Sequence, residues 1–147
     1  MNVATWRAAS LQSATTTTET SAVMPRIADF VVIQDHGVTL PRPAGGVQFR
    51  DDFTFPAFDA PGASGSPSVL SFRLRVEDGT PVFRIEFNET EIFDGVVEPG
   101  PDRAWQETIT QTAVRATGNR LRIEIDDREA ASLTISDVVL LYQAQVP

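Results

Sequence analysis

Val69-Leu70-Ser71-Phe72-Arg73-Leu74-Arg75-Val76 and, a few residues on, Pro81-Val82-Phe83-Arg84-Ile85-Glu86-Phe87-Asn88 decide the fold class. In the first run Leu70, Phe72, Leu74 and Val76 alternate with Ser71, Arg73 and Arg75. In the second, Phe83, Ile85 and Phe87 alternate with Arg84, Glu86 and Asn88. A period of two places each apolar set on one face of a strand and each polar set on the other. Between them Glu77-Asp78-Gly79-Thr80 reads as a hairpin turn, with Gly79 free to take positive φ. In that reading Arg73 and Arg75 face Arg84 and Glu86 across an outer surface.

A second pair of strands is expected near the C-terminus. Leu121, Ile123 and Ile125 alternate with Arg122, Glu124 and Asp126 after the turn Thr117-Gly118-Asn119. Leu133 and Ile135 start the last strand, and the parity then shifts to Val138, Leu140 and Tyr142, the signature of a β-bulge at Ser136-Asp137. Val138-Val139-Leu140-Leu141 is apolar on both faces, which predicts a central strand. Shorter strands are expected at 29–34, 38–40, 47–55, 91–93 and 105–112. Pro- and Gly-rich loops are expected at 55–67 and 96–103. No helical period is sustained after Pro25. The class is therefore all-β, an antiparallel β-sandwich of jelly-roll type.

Ahead of it, residues 1–24 read as an extended N-terminal arm, so the chain divides into an arm (1–24) and one sandwich domain (25–147). The arm is rich in Thr, Ser and Ala, with the run Thr15-Thr16-Thr17-Thr18, and offers little to bury. It cannot repay its ordering entropy alone. Trp6 and Leu11 are its candidate anchors on another surface.

From Val69 to Tyr142 the chain resembles the galactose-binding-like jelly rolls, which include many carbohydrate-binding modules. The resemblance is carried by Ser71-Phe72-Arg73-Leu74, by Phe83 to Asn88 as a strand ending in an Asn turn, and by Trp105 ahead of a strand. Thr117-Gly118-Asn119-Arg120-Leu121 and Ile135-Ser136-Asp137-Val138-Val139-Leu140 complete it. It implies ligands held at loop tips or on a concave face by exposed aromatics, and in some members a structural calcium. Trp105, Phe58 and Phe93 are the ligand-binding candidates, with Tyr142 a further aromatic. The same fold class serves as docking and decoration modules in viral particles and tails.

Composition narrows the chemistry. With 147 residues the chain is long enough for one real core, and with no cysteine it has no disulfide, thiolate zinc site or thiol nucleophile. The net charge of −8, with only 12 basic residues, all Arg, argues against a nucleic-acid partner. No apolar run is long enough to span a membrane, and no secretory signal is expected at the start. His36, in Asp35-His36-Gly37, reads as a turn residue. Gly62-Ala63-Ser64-Gly65-Ser66 lacks the final Gly of a nucleophile elbow. Acids gather at Asp51-Asp52, at Glu89, Glu91 and Asp94, and at Asp126, Asp127 and Glu129. The last three are the candidate metal ligands, because carboxylate oxygens on one turn suit calcium. Otherwise no cofactor is expected, and solvated charge is the default. Asn88-Glu89-Thr90 fits the N-glycosylation pattern.

The expected function is a non-catalytic structural or interaction subunit, docked by its arm into a larger assembly such as a virus particle, tail or surface appendage. Its partners would be other protein subunits, copies of itself included, and its location a virion or an extracellular appendage. The alternative is a carbohydrate-binding module or adhesin domain with glycan partners. Enzymatic activity is not expected.

Overall fold

A computed structural model describes residues 25–40, 50–63, 65–110, 113–126 and 131–146. Among these residues nine strands follow in chain order: β1 (Arg26–Gln34), β2 (Val38–Leu40), β3 (Arg50–Thr54), β4 (Ser68–Asp78), β5 (Val82–Phe87), β6 (Thr90–Val96), β7 (Gly100–Ile109), β8 (Leu121–Asp126) and β9 (Ser132–Gln145). They form two antiparallel sheets. Sheet A has the order β1-β9-β4-β7, with β2 also paired to β9, and sheet B has the order β3-β8-β5-β6. β1 and β2 lie on the same side of β9, so they act as one interrupted strand, and the connectivity is that of a jelly roll.

The inward sets are those the alternation marks. Leu70, Phe72, Leu74, Leu133, Ile135, Val138 and Leu140 from sheet A face Phe83, Ile85, Phe87, Leu121, Ile123 and Ile125 from sheet B, all buried. β9 lies between β1 and β4, in the central place its two-sided apolar run predicts. The parity shift is a bulge: Ser71 pairs with Val139 and Arg73 with Ser136, so Phe72 opposes two residues, and Asp137 takes φ 53°. No helix among the described residues is long and apolar enough to cross a membrane.

Two expectations are corrected. β4 and β5 are not a hairpin, because they belong to opposite sheets, and so do β8 and β9. Phe72 and Phe83 consequently meet across the core, with ring centroids 6.3 Å apart. A period of two fixes the buried face of each strand, but it does not say whether the next strand lies beside it or opposite. The return at Gly79 (φ 69°) is so tight that a Cβ there would stand 2.5 Å from the Ala131 side chain. The expected loop at 96–103 is also shorter than its Pro and Gly content suggests, since β7 begins at Gly100.

The local hairpin is β5–β6, where Phe87 pairs with Thr90 across Asn88 and Glu89, at φ 48° and 68°. Positive φ at both central positions is the two-residue turn that suits right-handed strand twist. The buried Asn88 amide donates from Nδ2 to the Ala113 carbonyl and, over 2.9 Å, to Asn119 Oδ1. Its Oδ1 accepts from Arg120 N at 2.8 Å. Asn119, fully buried, accepts from Arg115 N (2.8 Å) and donates to the Arg115 carbonyl (2.6 Å).

Asn119→Ala should therefore destabilise the domain by about 2–3 kcal/mol, because Asn88 Nδ2 and Arg115 N lose a buried acceptor. Urea denaturation measures it, with Asn88→Ala behaving non-additively in a double-mutant cycle.

Candidate functional site

Three surfaces can meet a ligand, and each follows from which residues the strands leave outside. The first is the side of the sandwich where edge strands β6 and β7 approach. Trp105, opposite Phe72 on β4, is half-buried and meets Phe93 of β6 edge-on at 5.3 Å. Phe72 stacks on the indole at 6.5 Å, and the Arg103 guanidinium lies 5.9 Å from its centroid. The indole Nε1 donates to Glu107 Oε1 at 2.7 Å. Two of the three aromatic candidates therefore come together. Phe58 does not join them: it packs on Phe87 at 5.9 Å and bridges to Asn119 in another part of the domain. Tyr142 is buried, with its hydroxyl 3.3 Å from Asp29 Oδ2. Burial and the neighbouring carboxylate both raise its pKa.

The second surface is the outer face of sheet B. Arg122, on β8, reaches Asp52 (3.1 Å), Glu86 (3.0 Å) and Glu124 (2.9 Å) with its three nitrogens. Arg84, on β5, reaches Asp94 (3.0 Å), Glu91 (3.2 Å) and Glu124 (3.6 Å). Glu124 is only 5% exposed and is shared by both guanidiniums. The hydrogen bonds that each guanidinium donates, Arg84 to Asp94 and Arg122 to Asp52 and Glu86, raise the pKa of each arginine. Five carboxylates around two cations leave the face acidic. Most of this network was legible only once β8 was known to lie between β3 and β5.

The third surface, the outer face of sheet A, is divided. On β4 and β7, Arg73 binds Asp102 (Nε to Oδ2, 2.9 Å), whose carboxyl it holds below the usual range, and Arg75 pairs with Glu77. Toward β1 the charges stop. Phe30 lies opposite Leu141 and Leu141 opposite Val69, while Val32 lies opposite Val139. Directly opposed residues share a face, so these five form one apolar strip. Phe30 is 63% exposed, Val32 52% and Leu141 45%. The strip borders β1, which no strand pairs on its far side among the described residues, and where Ile27 to Ile33 include Asp29 as their one charged residue. Other edges are blunted by charge: Asp51 and Asp52 on β3, Glu91 and Asp94 on β6, and Asp102, Arg103 and Glu107 on β7. Sequence analysis missed the strip, although Phe30-Val31-Val32-Ile33, apolar at both parities on an edge strand, is its signal.

The remaining candidates are dispersed. Asp126 ends β8, while Asp127 and Glu129 lie outside the described residues. Among the described residues no three His, Cys, Asp or Glu side chains cluster as metal ligands. Trp6 and Leu11 also lie outside them. His36 sits exposed between β1 and β2, 3.2 Å from Asp35, whose pKa its hydrogen bond lowers.

No family model matches the sequence, and no curated protein does. Among solved structures, dimeric latent PorU from Porphyromonas gingivalis matches at a TM-score of 0.55 and 10% identity over 85% of this chain. The chain spans 13% of the PorU chain's length, and the likeness is one of fold alone. The Gx strain of infectious bursal disease virus gives a TM-score of 0.45 at 11% identity, over 84% of this chain and 37% of that one. The CBM36-1 domain of a multidomain xylanase, from the hindgut metagenome of Trinervitermes trinervoides, gives 0.42 at 14% identity, over 82% of this chain and all of that one.

The sheet B network makes its own prediction. Arg122→Ala leaves Glu124 short of a partner in a nearly buried place, beside Asp52 and Glu86. It should cost about 2 kcal/mol, less than for a fully buried pair because the guanidinium is partly exposed. Arg122→Lys should recover only part of that, since one ammonium cannot span three carboxylates. Thermal melts of the two variants check the order.

Proposed function

We propose that this protein is a non-catalytic interaction subunit, a jelly-roll module held in a larger assembly of protein subunits by its N-terminal arm, residues 1–24. The observation that carries the reading is the uncharged strip of Phe30, Val32 and Leu141, a larger exposed apolar group than the opposed pair Val82 and Val96 on sheet B, whose outer face is otherwise laced with ion pairs. Leaving large apolar side chains in water forgoes about 1.5–3 kcal/mol each, and grouped on one face they mark a place for a partner. The two sheets supply a rigid support for that face. The acidity of the outer face of sheet B accords with a protein partner rather than a nucleic acid.

A second reading, a carbohydrate-binding module, draws on the β6–β7 side. There Trp105 and Phe93 stand half-exposed beside Arg103 and Glu107, a pairing of aromatic surface with polar groups that suits a sugar. Phe72 and Arg103 already lie against the indole, leaving less of it for stacking, so this reading ranks second.

Deleting residues 1–24 should leave a domain that melts cooperatively, because the described core residues of 25–147 already pack the two sheets on each other. The truncated chain should no longer co-sediment with the full-length protein's assembly. Unchanged co-sedimentation would overturn the arm's role. Binding to a glycan array that is lost in Trp105→Ala would favour the second reading.

A further inference from the structure

We propose that the apolar strip of Phe30, Val32, Val69, Val139 and Leu141 is the receptor for residues 1–24 of a second copy of this chain. The inference rests on the function proposed above and names the surface that the arm binds.

The strip needs a cover that is apolar, extended and uncharged. It runs along β1 and β9 beside an edge that no other described strand pairs, so an extended segment could lie over the side chains and pair with the outer backbone of β1. Arg7 and Glu19 are the only charged residues in 1–24 and cancel, so the net charge of −8 resides in 25–147. Two such domains repel each other when their acidic surfaces meet. A neutral segment carrying Trp6 and Leu11 avoids that cost, and the five residues of the strip it meets are all uncharged.

The place where the arm joins the domain argues for a neighbour's strip rather than its own. Pro25 is tied to the last strand's end, with its carbonyl accepting from Val146 N at 3.1 Å, and Arg26 donates to Ser66 Oγ at 2.6 Å. Phe30 is five residues further on, about 17 Å at strand spacing. Leu11 and Trp6 precede Pro25 by roughly 14 and 19 residues, a reach of up to about 45 and 60 Å. Reaching its own strip would require the chain to reverse. Residues 1–24 contain neither Gly nor Pro, the residues that most readily make such a reversal. A segment of that length is long enough to cross to another copy.

The absence of cysteine gives a clean test. Full-length Leu11→Cys, carrying an affinity tag, is mixed with untagged full-length Val32→Cys and oxidised mildly. The expected result is a disulfide-linked heterodimer of one tagged and one untagged chain, above the level formed when Glu77→Cys replaces Val32→Cys. In parallel, full-length Phe30→Glu should weaken self-association by at least about tenfold in sedimentation velocity. Its monomer should melt as the parent does, since Phe30 is largely exposed. Val32→Thr supplies a milder variant, expected to weaken association in the same direction. A double variant Leu11→Cys/Val32→Cys that closes only an intramolecular disulfide would overturn the exchange between copies. If arm deletion abolishes association while Phe30→Glu and Val32→Thr leave it intact, the arm keeps its role and this receptor is wrong. If neither arm deletion nor these substitutions change association, both fail.

Discussion

The pairing of two buried side-chain amides, Asn88 and Asn119, is the interaction on which the organisation of the sandwich turns. From β2 onward every connection passes from one sheet to the other, except the β5–β6 hairpin. The fold is thus built of long-range contacts, with one local element to organise them. Asn88 is the first residue of that hairpin's turn, and its side chain reaches Ala113, Asn119 and the Arg120 amide in the crossing loop from β7 to β8. Asn119 in turn exchanges backbone hydrogen bonds with Phe58, at 2.8 and 3.1 Å, in the crossing loop from β3 to β4. One local turn therefore sets the position of two crossings. A buried amide must have its partners, so alternative positions of these loops are penalised as well as the native one being rewarded.

With the core facing inward and these crossings fixed, the polar residues of each strand have two outer faces to occupy, and they occupy them unequally. Sheet B collects Arg84, Arg122 and their carboxylates into a connected network. Such a network holds its members in fixed geometry, and its acidic excess discourages nonspecific contact. Sheet A pairs Arg73 and Arg75 with acids near β4 and β7, then gives way to Phe30, Val32 and Leu141. The contrast is what makes the strip informative, because a uniformly apolar surface would indicate only poor solubility.

The fold class was legible because alternation is a property of each strand by itself. Phe72, Phe83, Ile123 and Leu140 are buried where the period of two puts them, and the parity shift at Ser136-Asp137 is a bulge. Pairing was not legible to the same degree. Glu77 to Thr80 has the residues of a hairpin turn, yet β4 and β5 part to opposite sheets. The turn's chemistry permits both outcomes, and the choice belongs to the packing of Phe72 on Phe83 and to the partners that β9 and β8 provide. The same limit hid the sheet B network, in which Arg122 and its partner Asp52 lie 70 residues apart in sequence. Phe58 and Trp105 were grouped as aromatics, but the crossing loop takes Phe58 to the Asn119 region and leaves Trp105 with Phe93.

The proposed contact also has consequences for symmetry. The arm and the strip are different parts of the chain, so a contact between them is heterologous unless two copies exchange arms reciprocally. Reciprocal exchange closes a dimer and uses both strips at once, whereas sequential exchange makes a ring or an open chain. Repulsion between the acidic domains acts on both, and more strongly where the domains must approach closely. In the proposed contact the neutral residues 1–24 would ease that constraint, since they would join two copies without bringing their sheet B faces together. The other edges, β3, β6 and β7, carry charges that oppose strand addition, so growth through them is disfavoured. If copies associate as proposed, the same distribution of charge that leaves β1 to one kind of partner would limit the number of ways in which they do so.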